Sequence, residues 1–371
     1  MTVGERQLDI LQVAPRYPPQ LGGVENHVQQ ISERLADRGH NVTVVTADER
    51  RGGEHRTQQN GVVVRRYRGF APKGAMHLAP RIAAVVQRSD AEIIHAHNYH
   101  SFPLLFAALG AGDRRFVVTT HYHGGSTSST RDRLLSMYRP IGRWAVQRAD
   151  NVIAVSEWER DQLETDFDVE ATVIPNGIEI NRFAEATAVG RKRPYLLTVG
   201  RLEEYKGVQH VIRAMTELPE YDLLIAGSGA YRERLEHIAR EEAVTAQVEF
   251  LGYVTDEKLP GLYAGAELYV TMSEFESYGM TVNEALAAGT PAVVNKTGAL
   301  REWCKYDACI GVDTIERDTL SKAIRNAAQL EVNRALAVDW KSLSMKLAHC
   351  MIVGLPNRSR ARRRVNELSV T

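Results

Sequence analysis

Cysteine is scarce: Cys304, Cys309 and Cys350 are the only three in 371 residues. Three cannot build a disulfide framework, and no CxxC spacing suggests a structural zinc site, so the chain fits a reducing compartment. A charge of one sign is missing too. The 46 Lys and Arg are balanced by 46 Asp and Glu, which argues against a protein built to coat nucleic acid. Long apolar runs are absent. The longest stretch free of Asp, Glu, Lys and Arg is Ile93–Gly112, and its three histidines, Asn98 and Pro103 make it a poor membrane span. Glu5, Arg6 and Asp9 at the start do not read as a secretory signal. The expected location is cytoplasmic, at most peripheral on the cytoplasmic membrane face. What remains is ordinary globular composition, 44% hydrophobic and 25% charged, enough to bury a large core. At roughly 150 residues per domain, the length predicts two or three domains.

The apolar run Leu8–Val13 predicts a first buried strand. A Pro/Gly loop, Ala14–Gly23, follows it. Val24, Val28, Ile31 and Leu35 then recur at helical spacing, with Gly39 as a stop, and Val42–Val45 is the next strand. This strand, Gly-loop, helix, strand unit opens a parallel doubly wound sheet. Ile93–Ala96, Phe116–Thr120 and Val152–Val155 continue it, and Pro175-Asn176-Gly177 punctuates its end. A polar linker, Glu179–Pro194, leads into a second series. Its strands are Tyr195–Val199, Leu223–Ala226, Val248–Leu251, Leu268–Val270 and Ala292–Val294. The expectation is α/β, two Rossmann-like domains over 1–178 and 190–335 with parallel sheets facing an interdomain cleft. Residues 336–371 would form a C-terminal helix reaching back to the first domain, with a basic tail at 357–364.

Two stretches carry chemistry. Gly200-Arg201-Leu202-Glu203-Glu204-Tyr205-Lys206-Gly207 follows a strand and opens a helix. A glycine there lets a phosphate approach the backbone, and a helix start favours anions. One charge pair at about 4 Å is worth roughly 4 kcal/mol at an effective dielectric near 20. Arg201 and Lys206 together could therefore stabilise a diphosphate leaving group without a metal. In the second stretch, Glu276 lies in the loop after a strand and Glu284 within the following helix. A carboxylate accepts from two hydroxyls at once, which suits a ribose or a hexose.

The E-x7-E pair followed by A-x-A-x-G-x-P, with G-R-x4-K upstream, resembles the retaining glycosyltransferases of family 4, which have the GT-B fold. The resemblance extends in order through Gly22-Gly23-Val24-Glu25-Asn26-His27-Val28, Ile93-Ile94-His95-Ala96-His97, Val118-Thr119-Thr120-His121, Val155-Ser156-Glu157 and Val173-Ile174-Pro175-Asn176-Gly177-Ile178. It continues at Ala226-Gly227-Ser228-Gly229 and Phe250-Leu251-Gly252-Tyr253-Val254, covering roughly residues 8–300. The family implies that Arg201 and Lys206 hold the donor diphosphate, Glu284 the ribose hydroxyls and Glu276 the transferred sugar. It also implies that the backbone of Gly279, Met280 and Thr281 meets phosphate or sugar oxygens and that Thr290 reaches the nucleotide. Tyr253 and Val254 would lie against the base. His121 would touch the sugar near the reacting carbon, and Gly22 and Gly23 would close over the diphosphate. Ser277-Tyr278 departs from the Gly-Phe frequent in the family, which bears on sugar choice. The implied reaction moves a hexosyl group from a UDP- or GDP-sugar to a hydroxyl acceptor, without a cofactor or a strict metal requirement.

Other features invite other readings. His95, His97, His100, His121 and His123 look metal-like, since i and i+2 on a strand share a face, but no cluster of acidic ligands accompanies them and no metal is expected. Asp166-Phe167-Asp168 has the D-x-D form of a metal triplet, yet lies outside the matched motifs and reads as a loop. Arg131–Arg148 interleaves Leu134, Leu135, Met137, Tyr138, Ile141 and Trp144 with arginines. That pattern suits either a core-facing helix or one lying on an anionic membrane beside a lipid-linked acceptor. A sugar-nucleotide epimerase of the same architecture and a non-catalytic sugar-nucleotide-binding subunit are the rival readings.

Overall fold

A computed structural model describes residues 6–20, 22–48, 54–71, 76–124 and 129–332, with Trp340, Lys346 and Cys350. The basic segment 357–364 lies outside the described residues, as do the side chains of 129–134. The described residues form two compact units. One runs up to Asn176 and includes Trp340, Lys346 and Cys350; the other runs from Gly177 to Val332.

The first unit contains β1 (Asp9–Ala14), β2 (Asn41–Asp48), β3 (His55–Gln59), β4 (Val62–Arg68), β5 (Ile93–His97), β6 (Arg115–Thr119), β7 (Asn151–Ala154) and β8 (Thr172–Val173). They make one sheet in the order β3-β4-β2-β1-β5-β6-β7-β8. The inner strands are covered on both faces by helices: every residue of β5 and of β7 is buried, including the polar His95, His97 and Asn151. The helices are α1 (Gly23–Asp37), α2 (Arg81–Arg88), α3 (Phe102–Gly110), α4 (Ser129–Gln147) and α5 (Glu157–Phe167). α1 buries Val28, Ile31 and Leu35 at the predicted spacing.

One strand breaks the expected parallel pattern. β3 pairs antiparallel with β4 at the sheet edge. Its sequence, His-Arg-Thr-Gln-Gln, has no apolar residue to announce a strand. The signal lies in the two-residue turn Asn60-Gly61, both at positive φ, the conformation that favours Asn-Gly in hairpins.

The second unit holds α6 (Ile180–Ala184), β9 (Tyr195–Val199), α7 (Val208–Ala214), β10 (Asp222–Ala226), α8 (Arg232–Glu241) and β11 (Val248–Gly252). It continues with α9 (Leu259–Gly265), β12 (Leu268–Thr271), α10 (Met280–Ala288), β13 (Ala292–Asn295), β14 (Cys309–Val312) and α11 (Arg317–Ala327). The strand order is β11-β10-β9-β12-β13-β14, all pairs parallel. Part of the expected polar linker is α6, which buries Phe183 against the Tyr263 ring.

Both sheets reverse direction at one point. In the first, β1 is followed outward by β2 and its other neighbour β5 by β6; in the second, β9 is followed by β10 and its other neighbour β12 by β13. Loops leaving the carboxyl ends of such a strand pair frame the ligand crevice of open α/β sheets. Gly22-Gly23 follows β1, Gly200–Gly207 follows β9, and Ser273–Gly279 follows β12.

Candidate functional site

In the second unit, the loops after β9 and β12 meet through Lys206 and Glu276. Lys206 Nζ donates to Glu276 Oε1 at 2.5 Å, with the two side chains 20% and 22% exposed. Burial opposes the ammonium charge, but the Glu276 carboxylate, with Tyr205 adding to it, holds the lysine above its ordinary range. The route into this position differs from a direct strand-to-helix turn. Glu204–Lys206 is a 3₁₀ turn, and α7 begins only after Gly207. Gly207 has φ 70°, and a Cβ on it would stand 2.2 Å from the Met272 carbonyl oxygen, so only glycine fits between the two loops. Arg201 is exposed and donates to the Tyr205 hydroxyl at 2.9 Å. The Tyr205 ring in turn lies under Lys206, 5.2 Å from Nζ to centroid.

α10 starts from Gly279 at φ 96°, where a Cβ would meet Leu300 at 2.9 Å. Its first turn carries Met280 and Thr281, whose hydroxyl accepts from Tyr269 at 2.6 Å. Glu284 follows one turn later, partly exposed, and accepts from the Tyr263 hydroxyl at 2.9 Å. Burial pushes its pKa up to about 7, against the Tyr263 hydrogen bond and the charge of Arg182. Tyr253 is 57% exposed beside Val254, and both line a groove of about 950 Å³ with Arg182, Val189 and Leu262. Thr290 is 2% exposed, and its hydroxyl donates to the Tyr263 carbonyl, which braces α9.

In the first unit, Gly22 caps α1 and Gly23 is its first residue, and a Cβ on Gly23 would meet nothing within 4 Å. His121 follows β6, is buried, and holds a left-handed backbone at φ 46°. Burial lowers its pKa to about 4, and lowers His27 and His97 well below the ordinary range with help from the neighbouring imidazoles. The rings are therefore neutral. His27 packs edge-on to His121, centroids 4.8 Å apart. His97 Nε2 and Gln12 Oε1 are 2.8 Å apart, as are His95 Nε2 and Thr119 Oγ1. His27, His97 and His121 bring ring nitrogens within 4.8 Å of one another. Ligands of one tetrahedral zinc lie about 3.4 Å apart at its usual bond lengths, so these rings would have to turn inward to share an ion. His100 and His123 stand apart, stacked on each other at 4.0 Å.

A sequence model described as Glycosyltransferase Family 4 matches residues 21–182, and one described as Glycosyl transferases group 1 matches 179–341. The chain is 30% identical over 389 residues to a glycogen synthase of Mycobacterium tuberculosis, covering 91% of this chain and 93% of that one. It is 28% identical to a GDP-mannose-dependent alpha-(1-6)-phosphatidylinositol monomannoside mannosyltransferase of Mycolicibacterium smegmatis, over 92% and 98% of the two chains. Among solved structures, Anabaena HepE in complex with UDP and glucose superposes with a TM-score of 0.74 at 20% identity, covering 92% of this chain and 99% of that one. The chain is a family 4 glycosyltransferase. Its fold is GT-B.

Two features of this glycosyltransferase were not legible as chemistry. Tyr278, where the family often has Phe, is 8% exposed and packs edge-on against Trp303, which donates to its carbonyl at 2.7 Å. The departure faces the protein interior. Asp166 and Asp168 end α5, where a loop was expected, and pair with Arg139 and Arg143 of α4. Met137, Ile141 and Trp144 of α4 are 75%, 51% and 37% exposed at helical spacing, so part of its apolar residues face outward. Among the described residues, no helix is long and apolar enough to cross a membrane.

Proposed function

We propose that this glycosyltransferase moves a hexosyl group from a UDP- or GDP-sugar to a hydroxyl acceptor with retention of anomeric configuration. The observation that carries the reading is the convergence of Lys206 and Glu276, with Arg201 nearby, on the switch point of the second sheet. Arg201 and Lys206 hold the charge that develops on the leaving diphosphate, so the reading calls for no strict metal. Ionised Glu284 accepts from the ribose hydroxyls, Tyr253 and Val254 flank the base, and the backbone of Gly279, Met280 and Thr281 receives donor oxygens. Glu276, freed from Lys206 as the diphosphate takes the lysine, turns to the sugar hydroxyls. Neutral His121, Gly22 and Gly23 are donor contacts in this reading, as the family resemblance implies.

In the transfer step, the bond between the anomeric carbon and the β-phosphate oxygen breaks. The acceptor oxygen bonds that carbon from the same face, and its proton passes to the departing phosphate oxygen. The acceptor is lipid-linked in this reading, with α4 lying on an anionic cytoplasmic membrane surface. The outward Met137, Ile141 and Trp144 support this, as does the phosphatidylinositol-based acceptor in the name of the mycolicibacterial relative.

The test is nucleoside diphosphate release from UDP-glucose and GDP-mannose, with and without a phosphatidylinositol mannoside acceptor. Release that depends on acceptor is expected. An altered sugar nucleotide without release favours an epimerase, and binding without either product favours a binding subunit.

A further inference from the structure

His121 holds a left-handed backbone, an unusual conformation for a side-chain-bearing residue. The residues on either side of it end on a single buried carboxylate. The Thr120 hydroxyl and the Tyr122 amide both donate to Glu159 Oε1. The other oxygen, Oε2, accepts from the Val155 amide at 2.6 Å. Glu159 is fully buried in the first turn of α5, and Ser156, the cap of that helix, accepts from its amide at 3.0 Å. Ser156 and Glu159 have the S-x-x-E spacing of a capping box, but in that motif the carboxylate returns to the amide of the cap residue itself. Here it reaches Val155 and the chain around His121. Among the described residues no Lys or Arg pairs with Glu159, and burial pushes its pKa up to about 7 despite three hydrogen bonds.

We propose that Glu159 is a positioning residue for His121: it clamps the peptide on both sides of the histidine and so sets the direction of the imidazole. Its function rests on the reading of His121 as a donor contact, but the clamp itself does not.

The donor pattern makes the clamp specific to a carboxylate. All three partners donate, so both oxygens must accept. An amide has one accepting oxygen. In Glu159→Gln, the NH2 group faces the Val155 N–H in one orientation and the Tyr122 N–H in the other. Thr120→Val removes a single donor and is the milder variant, available if Glu159→Gln fails to fold.

The test is ring ¹H–¹⁵N NMR of full-length protein labelled at histidine, with the His121 signal assigned from its loss in His121→Ala. In Glu159→Gln the His121 signal is expected to shift or broaden, and in Thr120→Val to shift less, while exposed His237 stays in place. UDP and GDP affinity should remain within about twofold of wild type. Turnover in Glu159→Gln should fall at least tenfold, with no further loss when His121→Ala is added, because residues acting as a unit are not additive. An unchanged His121 signal in both variants overturns the clamp whatever the activity. Multiplying losses in the double variant also overturn it. A displaced signal with full turnover in His121→Ala supports the clamp and refutes the donor-contact reading instead.

Discussion

Lys206 Nζ lies 2.5 Å from Glu276 Oε1, so the residue assigned to the diphosphate and the residue assigned to the sugar neutralise each other. A diphosphate arriving at Lys206 replaces one anionic partner with another. The lysine keeps its charge, and Glu276 becomes available at the moment the donor is in place. Lys206→Ala is expected to lower kcat by two or more orders of magnitude, on the scale of one preorganised charge donor. Glu276→Gln should lower kcat while leaving nucleoside diphosphate affinity at or above wild type, because the competing carboxylate is gone. Steady-state kinetics check both, and wild-type turnover in Lys206→Ala contradicts the assignment.

Glu284 links the site to pH. Its folded pKa of about 7 is raised by burial, with Asp256 adding to the rise while the Tyr263 hydroxyl and Arg182 oppose it. Below its unfolded pKa, near 4.3, both states are protonated and Glu284 contributes no pH dependence. Between that value and about 7 the folded state binds more protons, so stability falls as pH rises, and the full cost is reached above 7. Glu284→Gln should therefore raise the melting temperature at pH 8 and have little effect at pH 4.5. UDP or GDP binding should tighten in wild type as pH rises through 7, because the ionised carboxylate is the better acceptor, and lose that dependence in the variant. Thermal melts and titrations across pH 5–8 measure both.

The sequence carries much of this arrangement because parallel strands covered on both faces read as apolar runs, and the ligand loops follow them with glycines at strained positions. Gly207 and Gly279 illustrate this: their positive φ and close neighbours leave no choice of residue. Polar edge elements are less visible. β3 has no apolar residue, and α6 is too short for a period. Glu159 shows a deeper limit. Its S-x-x-E spacing announces a helix start, but nothing local says that the carboxylate will reach Thr120 and Tyr122 across more than thirty residues of chain. Thr290 has the converse problem: its spacing from Glu284 suits a nucleotide contact, and only packing shows that its hydroxyl donates to the Tyr263 carbonyl.

Among the described residues, the buried Tyr278 hydroxyl has no hydrogen-bond partner. An unpartnered buried polar group costs about 1–3 kcal/mol. Tyr278→Phe keeps the ring against Trp303 and removes that cost, so it should raise stability by about 1 kcal/mol, with turnover unchanged. Denaturant melts and kinetics check this, and a loss of activity would mean that the hydroxyl acts on the donor after all.

In the proposed reading, the outer face of α4 is the surface that would lie on an anionic membrane. Arg143 is paired with Asp168 at 3.6 Å and Arg139 with Asp166, which leaves the apolar side chains as the larger contribution. Replacing Met137, Ile141 and Trp144 together by Ser should abolish flotation with phosphatidylserine vesicles and leave soluble-donor binding intact. Equal flotation of the variant and wild type, or none by wild type, contradicts a membrane role for this face.

In the proposed reading, Arg201 and Lys206 form a diphosphate site. Calorimetric titration of UDP against UMP, and of GDP against GMP, tests it most directly, in wild type and in Lys206→Ala. The β-phosphate is expected to strengthen binding at least tenfold in wild type for one of the two bases, and most of this gain should disappear in the variant while monophosphate affinity holds. An equal β-phosphate gain in both proteins, or none in wild type, would contradict it.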